Sequence, residues 1–230
     1  MQLHKIPRPL LFLLSAALLI LPGCRLNSHS DTDNARVRLI NTVSDTSELS
    51  VMVDGQRAWK HSPFGSNTGY QPLTAGRYDV RVDASDTGTN LLATPGLSFE
   101  VGKSYTLLAL GLQRSAQFPA EVEIITDDLV EQIPADKARL RFINVSPGSS
   151  PSDVLLDNIV ALKSIGYNKR SDPVLIDSGP YDIKINPAAS ADSAVGPIIL
   201  TFNAGHAYTL VLMGQPSGSR LTLASYLDNP

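Results

Sequence analysis

One cysteine is all the thiol this chain has, so no intrachain disulfide staples it, and Cys24 needs another explanation. Basic charge is scarce as well: 19 Lys and Arg stand against 22 Asp and Glu, with no clustered basic face, which removes the electrostatic footprint of a nucleic-acid partner. The four histidines, His4, His29, His61 and His206, stand at no spacing to another His, Cys or paired carboxylate that suits a metal. Capped amphipathic stretches of helical length are missing too, which argues against a helical bundle. The apolar stretch near the start, Leu10 to Ile20, covers eleven residues. A membrane-spanning helix needs about 20, so this segment does not read as a permanent span.

What is there begins with that segment. Lys5 and Arg8 precede the apolar core and small residues follow it, the three parts of an export signal. Leu21-Pro22-Gly23-Cys24 resembles the bacterial lipobox, with Pro22 where that pattern has a small residue. The resemblance implies cleavage after Gly23, a diacylglycerol on the Cys24 sulfur and an acyl chain on the new amine. Each buried methylene contributes about 0.8 kcal/mol, and two or three chains hold firmly where one is marginal. A membrane partner through covalent lipid would account for a lone cysteine. Removing Lys5 and Arg8 takes the basic side chains from 19 to 17 against 22 acidic ones, a mature charge of −5. Arg25 follows the cysteine where retention in the inner membrane is associated with Asp, so lipoprotein sorting implies the outer membrane in a Gram-negative cell.

Residues 24–34 then read as the lipidated cysteine and a polar tether. Beyond it the chain repeats. ARVRLIN at Ala35 returns as ARLRFIN at Ala138, an offset of 103 that also carries GRYDVRV onto GPYDIKI and FEVGKSYTL onto FNAGHAYTL. A period that long makes each copy a whole domain instead of one layer of a solenoid. The organisation expected is a signal peptide at 1–23, a tether at 24–34, a first domain at 35–126, a linker at 127–137 and a second domain at 138–230.

Within each copy apolar and polar residues alternate. Val37 and Leu39 oppose Arg36 and Arg38; Tyr78, Val80 and Val82 oppose Arg77, Asp79 and Arg81, the period of half-buried strands. Turn signals such as Asp54-Gly55, Ala75-Gly76 and Val101-Gly102 recur every 8 to 12 residues or so. The expectation is an all-β protein of two tandem antiparallel β-sandwich domains, with Tyr78, Phe99, Tyr105 and Leu107 in the first core and Tyr181, Phe202, Tyr208 and Leu210 in the second. Asp79, Asp182, Arg36, Arg38, Arg139 and Arg141 would then lie outward as cross-strand charge pairs. The pattern ARVRLIN, VMVDG, PLTAGRYDVRV, GKSYTLLALG resembles the bacterial cell-surface family called domain of unknown function DUF4397. That resemblance implies an exported immunoglobulin-like or transthyretin-like scaffold and carries no catalytic residues.

Motifs that carry chemistry do not survive inspection. Gly102-Lys103-Ser104 lacks the spacing of a phosphate loop, and its counterpart Gly205-His206-Ala207 keeps only the glycine. Gly65-Ser66-Asn67-Thr68-Gly69 puts its serine one place early for a nucleophile elbow. Asp83 to Asn90 lacks calcium-loop alternation. No catalytic residue, metal or cofactor is expected. The one informative difference between the copies is WKHSPFGSNTGY, which holds Trp59, Phe64 and Tyr70 where the second copy reads LKSIGYNKRSDP. Aromatics on sandwich loops either contact a protein or carbohydrate partner or plug the end of the core. Two readings follow, a non-enzymatic binding or adhesion module and a structural spacer or accessory subunit, with an enzyme using an interdomain cleft a distant third.

Overall fold

The computed structural model describes residues 33–85, 87–127, 132–216 and 221–228. Cys24, Arg25, the signal segment and nearly all of the tether lie outside them. The first copy forms eight strands: β1 (Asn34–Asn41), β2 (Glu48–Val53), β3 (Gln56–Pro63), β4 (Gln71–Thr74), β5 (Gly76–Ala84), β6 (Asn90–Phe99), β7 (Ser104–Leu110) and β8 (Glu121–Thr126). The second forms nine: β9 (Lys137–Asn144), β10 (Ser152–Leu156), β11 (Ile159–Ile165), β12 (Lys169–Arg170), β13 (Val174–Asp177), β14 (Gly179–Pro187), β15 (Val195–Phe202), β16 (Ala207–Met213) and β17 (Thr222–Leu227). Asn34 and Lys137, placed in tether and linker by composition, are instead the first residues of β1 and β9, because their backbones pair with Thr74 and Asp177.

Each copy is a two-sheet sandwich. Sheets β4-β1-β7-β8 and β3-β2-β5-β6 enclose the first core, and β12-β9-β16-β17, with β13 also on β9, faces β11-β10-β14-β15 around the second. One pairing per domain departs from the antiparallel rule: β1 runs parallel to β7 and β9 parallel to β16. Parallel neighbours need a long crossover. Here the crossover includes the entire opposite sheet, so the first strand of each repeat ends up beside its next-to-last.

The repeat is visible down to single contacts. Phe99 stacks edge-on to Tyr105 with ring centroids 5.1 Å apart, and Phe202 to Tyr208 at 5.1 Å. The Tyr105 hydroxyl accepts from Glu100 N at 3.1 Å and that of Tyr208 from Asn203 N at 3.0 Å. Tyr78 and Tyr181 donate to Thr74 O and Asp177 O at 2.8 and 3.0 Å. The β2–β3 and β10–β11 hairpins turn through Asp54-Gly55 and Asp157-Asn158, all four residues with φ between 48° and 74°. Paired left-handed residues match strand twist, and Asn tolerates them nearly as Gly does, which is why the second copy dispenses with its glycine.

For two of the arginines expected to lie outward the alternation rule fails, whereas Arg36 is exposed as expected. Arg38 is 1% exposed and Arg139 9%. Asp79 is not their cross-strand mate; its Oδ1 accepts from Gly96 N at 2.8 Å, tying a bulge in the outer sheet. The physical reason is that the second face of sheet β4-β1-β7-β8 is covered by the other domain.

Candidate functional site at the domain joint

β7 shows how the joint is built. Tyr105, Leu107 and Ala109 enter the core of their own sandwich. Leu108 and Leu110, on the opposite face, join a third cluster with Ile40, Ile125, Ile143, Val145, Val211, Met213 and Tyr226, drawn from both domains. Three pairs in this cluster, Ile40 with Ile143, Leu108 with Val211 and Leu110 with Met213, are related by the offset of 103. The two copies therefore meet through the same face, in the manner of an isologous dimer fused into one chain.

Beside the apolar cluster lies a polar one with the same pseudo-symmetry. Arg38 Nη2 donates to Asp228 Oδ1 at 2.6 Å, Nη1 to Leu227 O at 2.6 Å and Nε to Thr106 Oγ1 at 2.7 Å. Arg141 Nη2 donates to Asp127 Oδ1, and its Nε to Thr209 Oγ1 at 2.6 Å. Thr106 donates onward to Asp127 Oδ2, and Thr209 to Asp228 Oδ2 at 2.6 Å. Each arginine sits on the first strand of one domain and each carboxylate just past the last strand of the other. The aspartates are held there because Asp127 N donates to Ser104 O at 2.7 Å and Asp228 N to Ala207 O at 2.8 Å.

Charges are balanced two against two, yet burial leaves a mark. Desolvation raises the Asp228 carboxyl above the ordinary aspartate range although Arg141 and Arg38 pull it down. Burial also opposes the Arg141 guanidinium, but Asp228 and Asp127 together outweigh that and raise its pKa. Tyr70 is strongly raised, by burial first and then by the Asp127 carboxylate onto which its hydroxyl donates at 2.8 Å. Such a cluster binds domains together. Most of its hydrogen bonds run between its own members. Among the described residues no group of three His, Cys, Asp or Glu is arranged to hold a metal ion.

Tyr226 closes the apolar side, donating to Gly65 O at 2.9 Å, and burial pushes its phenol up to about 12. The sign of the resulting pH dependence is set by proton counts. From about pH 10 the unfolded chain releases this proton while the folded one keeps it, so stability present below about 10 is lost as pH rises toward 12. Tyr70 acts in the same direction. Tyr226→Phe is expected to cost about 0.5–1.5 kcal/mol at neutral pH for the lost hydrogen bond and to flatten the alkaline loss. Urea unfolding at a series of pH values measures both.

The aromatics singled out in the sequence fall at different places. Trp59, on β3, is half-buried against the first core and edges a shallow groove of about 330 Å³ that includes His61 and Asn67. Phe64 packs on the joint cluster. Tyr70 lies over Arg38 with 4.5 Å from the guanidinium carbon to the ring centroid. The structure thus brings Phe64 and Tyr70 to the joint and leaves Trp59 on the outer sheet. Arg38, Arg141, Asp127 and Asp228 were not singled out as a site, although a signal existed. The runs SYTLLAL and AYTLVLM are apolar without alternation, the mark of strands covered on both faces.

Fold and joint together define a tandem β-sandwich protein whose two units are fixed to one another by a buried interface. The family model for the domain of unknown function DUF4397 matches residues 35–151 and again 140–230, and the chain belongs to that family. No curated protein matches it. Among solved structures, a similar one is the crystal structure of CBMbc (family CBM26) from Eubacterium rectale Amy13K in complex with maltoheptaose. It shares 9% identity at a TM-score of 0.25, over 86% of this chain and 98% of that one. A likeness at that score carries no argument about what this chain binds.

Proposed function

We propose that the chain is a lipid-anchored, non-enzymatic module of the cell envelope that binds a protein or carbohydrate partner, with residues 1–23 as signal peptide and Cys24 as the lipidated residue. The observation that carries the binding half is the joint. Two sandwiches locked by an apolar cluster and four paired charges, three of them buried, hold their loops in fixed relation, and a preorganised surface loses less entropy on binding than a hinged one. Trp59 and the groove beside it supply the contact on this reading. The anchor half rests on the lipobox-like tetrapeptide, and Arg25 favours the outer membrane where one exists.

A spacer or accessory subunit is the second reading, favoured by the engagement of Phe64 and Tyr70 at the joint instead of on an exposed patch. Capture of bound material from intact cells, with wild-type, Trp59→Ala and Cys24→Ser chains, separates the cases. The expected result is a specific partner with the wild type, its loss with Trp59→Ala, and release of Cys24→Ser from the membrane fraction. An unchanged partner set with Trp59→Ala would leave the spacer reading, and a membrane-bound Cys24→Ser chain would end the case for lipidation.

A further inference from the structure

The two halves of the joint differ at one telling position. Tyr70 lies just before β4, opposite Arg38, since Gln71 pairs with Val37. Its counterpart one repeat on is Pro173, just before β13 and opposite Arg141, since Val174 pairs with Leu140. The loops are otherwise held alike, for Thr68 Oγ1 accepts from Leu39 N at 2.9 Å and Ser171 Oγ from Phe142 N at 3.0 Å. What changes is the side chain. Proline has no aromatic face and no hydroxyl, and beside Arg141 the structure opens a cleft of about 520 Å³ to which Pro173, Tyr208 and Asp228 contribute. That volume is within the range of about 300–1,000 Å³ usual for small-molecule sites.

The polar groups facing this cleft, Arg141 and Asp228, are the counterparts of the Arg38 and Asp127 that Tyr70 meets on the other side. Arg38 donates through three nitrogens, whereas Arg141 uses Nε and Nη2, and among the described residues its Nη1 has no acceptor. Asp127 Oδ2 accepts from both Thr106 and the Tyr70 hydroxyl. Asp228 Oδ2 accepts from Thr209, and among the described residues no phenol reaches it. The charge of the lining also selects. Arg139, Arg141 and Arg170 stand against Asp127, Asp172 and Asp228, and the arginines already have partners. Three arginines against three aspartates leave the lining without net charge, so a phosphate or carboxylate gains no net attraction to offset its desolvation, while a neutral ring meets no such cost.

We propose that the cleft beside Arg141 is a binding site for a neutral phenolic ring, stacked on the guanidinium and donating its hydroxyl to Asp228 Oδ2, as Tyr70 does across the pseudo-two-fold. A free phenol and a tyrosine side chain of a partner polypeptide share this chemistry. The site uses neither Trp59 nor the lipid, so its test is separate from that of the reading above.

The experiment titrates p-cresol, toluene, phenyl phosphate and N-acetyltyrosinamide into the full chain in detergent, followed by NMR. Saturable binding of p-cresol is expected, with ring-proton contacts to Tyr208 and Pro173, and binding at least tenfold weaker for toluene and phenyl phosphate. Pro173→Tyr, whose own ring fills the space, should abolish it; Tyr70→Ala, which opens the matching space over Arg38, should add a second equivalent. Binding of N-acetyltyrosinamide as tight as that of p-cresol points to a partner's tyrosine, and binding of p-cresol alone to a free phenol. No saturation up to the solubility limit of p-cresol, equal binding of toluene, or contacts to any other part of the wild-type chain would overturn the proposal even if Pro173→Tyr did not fold.

Discussion

Arg38→Leu is expected to destabilise the protein by about 3–5 kcal/mol, far more than an exposed arginine would. The side chain is 1% exposed and reaches Asp228, Leu227 O and Thr106 at once. Removing it leaves two buried carboxylates, Asp127 and Asp228, to share Arg141 alone, with the Asp228 side chain only 3% exposed. That uncompensated charge, more than the lost attraction, sets the size of the effect. A second replacement should therefore give much of the loss back. In Arg38→Leu with Asp228→Leu no buried charge is orphaned on that side of the joint, although Thr209 and Arg141 each lose a neighbour. Chemical denaturation of the wild type, both single variants and the double variant yields the coupling energy. A single-variant cost below about 1 kcal/mol would mean that water enters the joint and screens these charges.

How far this arrangement was legible can be argued strand by strand. The duplication, the β class and the aromatic positions of both cores follow from period-two alternation and from a single offset, and the tyrosine pairs Tyr105 and Tyr208 occupy matched places. Local rules suffice there because a strand with one buried face announces it. The joint escaped the same rules because burial of the other face depends on a partner surface about 100 residues away. Arg38 alternates with Val37 and Leu39 as a surface residue does, and only the cover provided by the second domain makes it interior. Leu108 and Leu110 carried the contrary signal, apolar residues at positions where a solvated strand would be polar. The difference between Tyr70 and Pro173 was visible as a difference between copies, but its meaning needed the register that sets them opposite Arg38 and Arg141.

That register predicts the sharpest contrast in the molecule, between neighbours on β7. Leu107 and Leu108 are both fully buried, but Leu107 belongs to the first sandwich core and Leu108 to the cluster shared between domains. A carboxylate in either place is desolvated without a partner, at a cost of several kcal/mol. With Leu108→Asp the chain has a way to relieve it that leaves both sandwich cores intact: the domains part and water reaches the side chain. Calorimetry should then show two transitions where one is expected of the wild type, and small-angle scattering a larger radius of gyration. Leu107→Asp has no such exit, since hydrating that site means unfolding the first domain, so its expected outcome is loss of that domain's transition with the second retained. Equal behaviour of the two variants would show that the sandwiches do not fold as separate units and that the joint is an inseparable part of each, in which case the apolar cluster of Ile40, Leu108, Ile143 and Val211 acts as the centre of one core and not as a seam.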